Sequence, residues 1–128
     1  MVGTFFITTG QPHLANWQIR ALADAGHEIG AHTFSHADLM KLSDSQLTWE
    51  LSRVRAELQA VCGQPVDFFA YPYGAYDARV IAATQAAGYR GALAAWGGSS
   101  WSPDTPFSEP RIKVSGYLTL DGFIALIR

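Results

Sequence analysis

Residues 26–36 read Gly-His-Glu-Ile-Gly-Ala-His-Thr-Phe-Ser-His. A glycine that ends a helix leads into a short apolar run, so residues 27–32 predict a strand. Two histidines, His32 and His36, stand four apart where that strand ends. On a helical turn this spacing brings both imidazoles to one side, where they can share one cation. The plainer alternative is two surface or capping histidines at chance spacing, because short motifs carry false positives. A pair alone falls short of a catalytic centre, since divalent metals usually take a third protein ligand, here a carboxylate.

Working outward, the chain alternates between strand and helix patterns. Residues 4–8 (TFFIT) are β-branched and aromatic and predict a buried strand. Residues 14–25 predict a helix stopped by Gly26. Ser43-Asp44-Ser45-Gln46 fits a capping box, after which Leu47, Leu51, Val54, Leu58 and Val61 share one helical face up to Gly63. Residues 66–71 (VDFFAY) predict a third strand. Asp77 caps a helix running to Ala87, and residues 90–95 (RGALAA) predict a fourth strand. Residues 96–110, rich in Gly, Ser, Pro and Trp, predict a surface loop. Residues 111–114 (RIKV) predict a fifth strand, and Thr119 caps a last helix over 120–127. This alternation implies an α/β fold with a parallel sheet, whose sites gather at the carboxyl ends of the strands.

At 128 residues the chain is expected to be one domain, 1–128. Its net charge of −2 argues against a nucleic-acid or anionic-membrane partner. No apolar run is long enough to span a bilayer, and the start lacks the basic and apolar regions of a signal peptide. A soluble protein is expected, with its localisation left open. The single cysteine, Cys62, excludes an intramolecular disulfide and reads as a small core residue.

Several other residues carry paired readings. The Thr33 hydroxyl, between the histidines, can hold the loop's shape, or the residue is there for β-propensity. Asp38 is either a partner to the histidines or a helix-start cap. In Tyr71-Pro72-Tyr73-Gly74, Pro72 ends the strand and a backbone N–H can meet a developing oxyanion, while the rings of Tyr71 and its neighbours offer a stacking wall for sugars. The alternative is an aromatic strand end packed in the core. Trp96 and Trp101 line a carbohydrate groove or cover the core. Arg111 orients a carboxylate or is a surface charge. His13 and His27 read as solvated residues.

Taken together, Thr4-Phe5-Phe6, the stretch 26–36 and Phe69-Ala70-Tyr71-Pro72-Tyr73-Gly74 resemble the polysaccharide deacetylases (the NodB-homology domain, carbohydrate esterase family four) over nearly the whole chain. The resemblance implies a distorted, incomplete (β/α) barrel. It implies a divalent metal, commonly zinc, on two histidines matched by His32 and His36 and on one aspartate. It implies removal of acetyl groups from acetylated sugars, with a water activated at the metal, an aspartate as base and the Tyr73 backbone N–H on the oxyanion. The family's Thr-Phe-Asp-Asp motif would precede residues 4–8 and is not in this sequence. Ala70 stands where the family has an arginine, and Arg111, after Pro110, is a substitute for it. The late Leu-x-His motif is also missing.

The expected fold is therefore this barrel lacking its first strand. The expected function is a metal-dependent hydrolase of acetylated carbohydrates or small acetyl esters with reduced catalytic machinery. The rival is a non-catalytic carbohydrate-binding or interaction module. Because residues 4–8 would form an unpaired edge, a homo-oligomer is expected to cover it.

Overall fold

Four short segments rich in apolar residues must be buried, and the helices between them cover one face of the sheet they form. In the computed structural model, which describes residues 1–10 and 14–127, the segments are β1 (Thr4–Ile7), β2 (Glu28–Ala31), β3 (Phe68–Ala70) and β4 (Gly91–Leu93). They pair in parallel in the order β1-β2-β3-β4. Helices α1 (Asn16–Asp24), α2 (Asp44–Cys62) and α3 (Ala78–Ala86) make the successive crossovers, and α4 (Leu120–Leu126) ends the described chain. His13, read above as solvated, lies outside the described residues.

The core joins the helices to one face of the sheet. Ile7, Ile29, Ala31, Phe69 and Ala92 from the strands, with Tyr71 just after β3, cluster with Ile19 of α1, Leu47, Leu51, Val54 and Leu58 of α2, and Val80 of α3. Four of the five residues assigned to one face of α2 are buried, and Val61 is half-buried. Local signals set the ends of this helix. The Ser43 hydroxyl accepts from Gln46 N–H, the Gln46 side chain reaches back, and Gly63 closes the last turn at φ 70°. The opposite face of the sheet carries Phe6, whose ring lies over Gly30. A Cβ added at Gly30 would come within 2.5 Å of that ring.

Two expectations change. The first strand is not buried: it sits at the sheet edge with β2 as its partner, and Thr4 and Phe5 are exposed. Residues 111–114 form no strand. The chain touches the sheet earlier, where Glu109 bridges Leu93: Glu109 N–H donates to Ala92 O, and Ala94 N–H donates to Glu109 O. Pro110 follows at once and has no N–H to extend the ladder. No helix among the described residues is long and apolar enough to cross a membrane.

Leu51 has no exposed surface and sits between the sheet and its helices. Leu51→Ala is expected to cost about 2–5 kcal/mol, and Val61→Ala less than half of that, read from urea unfolding midpoints. Equal losses at the two positions would contradict this core.

Candidate metal centre

The site begins where β2 ends. Ala31 pairs with Phe69 of β3, and His32 N–H donates to Ile7 O of β1 at 3.0 Å, so the neighbouring strands hold the His32 backbone. Its ring is held as well: Nδ1 lies 2.7 Å from Ala70 O. A carbonyl only accepts, so Nδ1 carries the proton and Nε2 keeps the lone pair that a metal requires. Burial pushes the His32 imidazole below its ordinary range, and the positive charges of His36 and Arg111 add to this. The bond to Ala70 acts in the opposite direction.

After His32 the backbone turns sharply. Thr33 and His36 have φ of 66° and 62°, unusual for residues with side chains. Thr33 is fully buried, and its hydroxyl donates to His32 O while accepting from His36 N–H at 2.8 Å. The hydroxyl therefore bridges the backbones of the two histidines, whose ring centroids end 4.8 Å apart at 71°. The other side of the turn is held by Glu50 of α2. Its carboxylate accepts from Phe34 N–H at 2.8 Å, Ser35 N–H at 2.9 Å and the Ser35 hydroxyl at 2.5 Å. Sequence reasoning passed over Glu50. Its signal was an acidic residue three after Leu47 and four before Val54, inside the apolar stripe of α2.

Tyr73 approaches from the end of β3. It sits in a turn at φ 60°, closed by Gly74 N–H on Tyr71 O and Ala75 N–H on Pro72 O, so the Tyr73 N–H is not used in closing it. The exposed Tyr73 ring packs edge-on to His36 at 4.9 Å, with its hydroxyl 3.3 Å from His36 Nδ1. Arg111 comes from beyond β4. Its Nε donates to Ala94 O and its guanidinium lies 5.8 Å from the centre of the Phe6 ring, so a carbonyl and a ring hold it rather than the expected carboxylate. Trp96 is exposed and lines a cavity of about 300 Å³ with Ala95, Arg111, Ile112 and Lys113.

Other expected site residues lie elsewhere. Tyr71 is not a sugar wall: it is 1% exposed, its hydroxyl donates to Phe107 O, and its ring stacks on Tyr76. Pro72 is buried and shapes the turn only. The burial of Tyr71 follows from strand alternation, which sends it to the same face as Phe69. Asp38 is not a partner to the histidines. Its carboxylate accepts from Met40 N–H and pairs with Lys41 at 3.5 Å, as a cap does. Trp101 is exposed but borders a different cavity, beside Phe68 and Pro106, and its indole N–H donates to Pro110 O. His27 accepts from Gly3 N–H and packs on Phe5.

The donor set fits a divalent cation in part. Two imidazoles converge, one with its coordinating nitrogen fixed, but no group of three or more His, Cys, Asp or Glu side chains suited to a metal occurs among the described residues. The lowered His32 value also has a consequence without metal. In the unfolded chain His32 titrates near 6.5, and in the fold it titrates lower, so between the two values unfolding takes up a proton. The stability this represents is complete above the unfolded value and is lost as pH falls through the folded one. As pH falls below about 6.5, the metal-free protein should lose stability more steeply than His32→Asn, which keeps a donor for Ala70 O. Parallel pH curves for the two proteins would contradict the assignment.

Known proteins share this fold. The family model described as Polysaccharide deacetylase matches residues 1–92, which include β1 to β3, both histidines and the Tyr73 turn. The peptidoglycan-N-acetylmuramic acid deacetylase PdaA of Bacillus subtilis is 33% identical over 95 residues, covering 70% of this chain and 35% of that protein. The crystal structure of a polysaccharide deacetylase from Bacillus cereus superposes with a TM-score of 0.87 at 25% identity, covering 98% of this chain and 41% of that one. A pseudoenzyme of the CE4 family from Bacillus anthracis shares the fold at 22% identity, with a TM-score of 0.66 over 71% of this chain and 32% of its own. The chain thus spans less than half the length of each of these relatives. With a parallel α/β fold, a histidine pair at the end of its second strand and a family match over residues 1–92, the chain belongs to the polysaccharide deacetylase family.

Proposed function

We propose that this chain is a metal-dependent hydrolase that releases acetate from acetylated carbohydrates or small acetyl esters, with a divalent cation, zinc in the first instance, on His32 and His36. The carrying observation is the His32 ring, whose bond to Ala70 O leaves Nε2 as the coordinating nitrogen beside His36. A bound cation would supply Lewis acidity toward an acetyl carbonyl and toward water. The chain's own residues would do the rest. Tyr73 would offer its backbone N–H to the carbonyl oxygen as negative charge develops there. Arg111 would keep a positive charge beside His32 and so favour its neutral, ligating form. Trp96, exposed at the Arg111 cavity, would present a ring to a sugar face.

A second reading is a non-catalytic carbohydrate-binding module that keeps the fold. It is favoured by the lack of a third His, Cys, Asp or Glu around the histidine pair among the described residues. A pseudoenzyme is also present among the proteins of this fold.

Metal analysis and acetate release separate these readings. The parent protein should retain zinc or cobalt that the double variant His32→Ala/His36→Ala loses. Equal metal content in both would refute the histidine site. A metal-loaded parent should hydrolyse a chromogenic acetate faster than an N-acetylglucosamine oligomer by at least ~10-fold, because an amine leaving group needs a proton donor. No acetate from either substrate in a metal-loaded sample would favour the binding module. The edge strand β1 adds an expectation about assembly. Its exposed, β-prone residues Thr4 and Phe5 would be covered by a second protomer, so light scattering across a dilution series should report a dimer or larger species. A folded monomer at micromolar concentration would exclude it.

A further inference from the structure

A carboxylate inside the apolar face of a helix is costly unless its lone pairs are satisfied. Glu50 is 6% exposed, and Leu51 and Val54 beside it are fully buried. The hydrogen-bond partners it has among the described residues come from one place, Phe34 and Ser35 between His32 and His36. Oε2 accepts both backbone N–H groups, of Phe34 and Ser35, and Oε1 accepts the Ser35 hydroxyl. Bonds to an ionised carboxylate are stronger than bonds between neutral groups. The turn they hold is not a relaxed one, since Thr33 and His36 on either side of the pair both have positive φ. The Thr33 hydroxyl ties the inner ends of the turn together, from His36 N–H to His32 O. One turn further along α2, Arg53 lies over the Phe34 and Trp49 rings, so the same helix also holds the turn's side chain.

We propose that Glu50 is the positioning residue of the histidine pair. It touches neither imidazole, but it fixes the backbone between them and so sets the separation and orientation at which they present nitrogen to a cation. The proposal rests on the reading of His32 and His36 as metal ligands, and the experiment keeps the two apart.

Parent, Glu50→Gln, Glu50→Asp and His32→Ala/His36→Ala are each titrated with Co²⁺, following the visible absorption bands, with urea unfolding run alongside. Hydrogen exchange of the Phe34 and Ser35 amides is measured without metal. Glu50→Gln keeps the size but loses the charge and one acceptor. It should unfold cooperatively, bind Co²⁺ roughly 10–100-fold more weakly with altered bands, and expose both amides to exchange. Glu50→Asp, too short to span the gap, should not rescue either readout. A folded Glu50→Gln with the parent's Co²⁺ affinity and bands would overturn the proposal, and so would unchanged protection of the two amides. If the parent and the double histidine variant bind Co²⁺ alike, the metal reading fails; the amide exchange then decides alone whether Glu50 fixes this turn. Should Glu50→Gln not fold, Ser35→Ala takes its place. It removes the hydroxyl bond at an exposed residue and should weaken Co²⁺ binding by ~3–10-fold, and parent-like binding would overturn the proposal.

Discussion

The hydrogen bond from His32 Nδ1 to Ala70 O crosses from the end of β2 to the end of β3 and decides which imidazole nitrogen faces outward. It exists because the two strands run parallel and in register, with Ala31 opposite Phe69, so the residue after β2 reaches the last carbonyl of β3. Any slip in that pairing would send the ring elsewhere. The candidate centre is thus a consequence of sheet register, and the core that stabilises the sheet also sets the tautomer of the histidine.

Around this bond the backbone is strained. Thr33, His36 and Tyr73 have positive φ, and each such residue costs about 1–3 kcal/mol when it carries a side chain. All three lie at the candidate centre, and each is held by a partner outside ordinary helix or strand bonding. Thr33 bonds across its own turn, Glu50 grips the segment between the histidines, and Pro72 stiffens the turn that carries Tyr73. The burial of Leu47, Leu51, Val54 and Leu58 beside Glu50 makes α2 rigid enough for such a grip to matter. Stability in one layer is converted into fixed geometry at the edge of the next.

The sequence by itself settled the parts that depend on neighbours within a turn or two. Ser43 and Gln46 start α2 and Gly63 ends it, Asp77 starts α3, Thr119 starts α4, and short apolar runs mark the four strands. The histidine spacing and its place after a strand were equally local, which made the family recognisable. Tertiary structure decided what lies between residues distant in the chain. Glu50 meets Phe34 and Ser35 across 15–16 residues, and Arg111 meets Ala94 across 17. Tyr71, which the motif suggested for a sugar wall, was taken into the core because strand alternation and the carbonyl of Phe107 claimed it. Residues 111–114 have strand-like composition but no ladder to join once Glu109 has bridged Leu93 and Pro110 has interrupted the pairing. Propensities and caps act over a few bonds and can be read in order along the chain. A hydrogen-bond partner or a buried face is chosen by the packing of whole elements, which no single stretch of sequence contains.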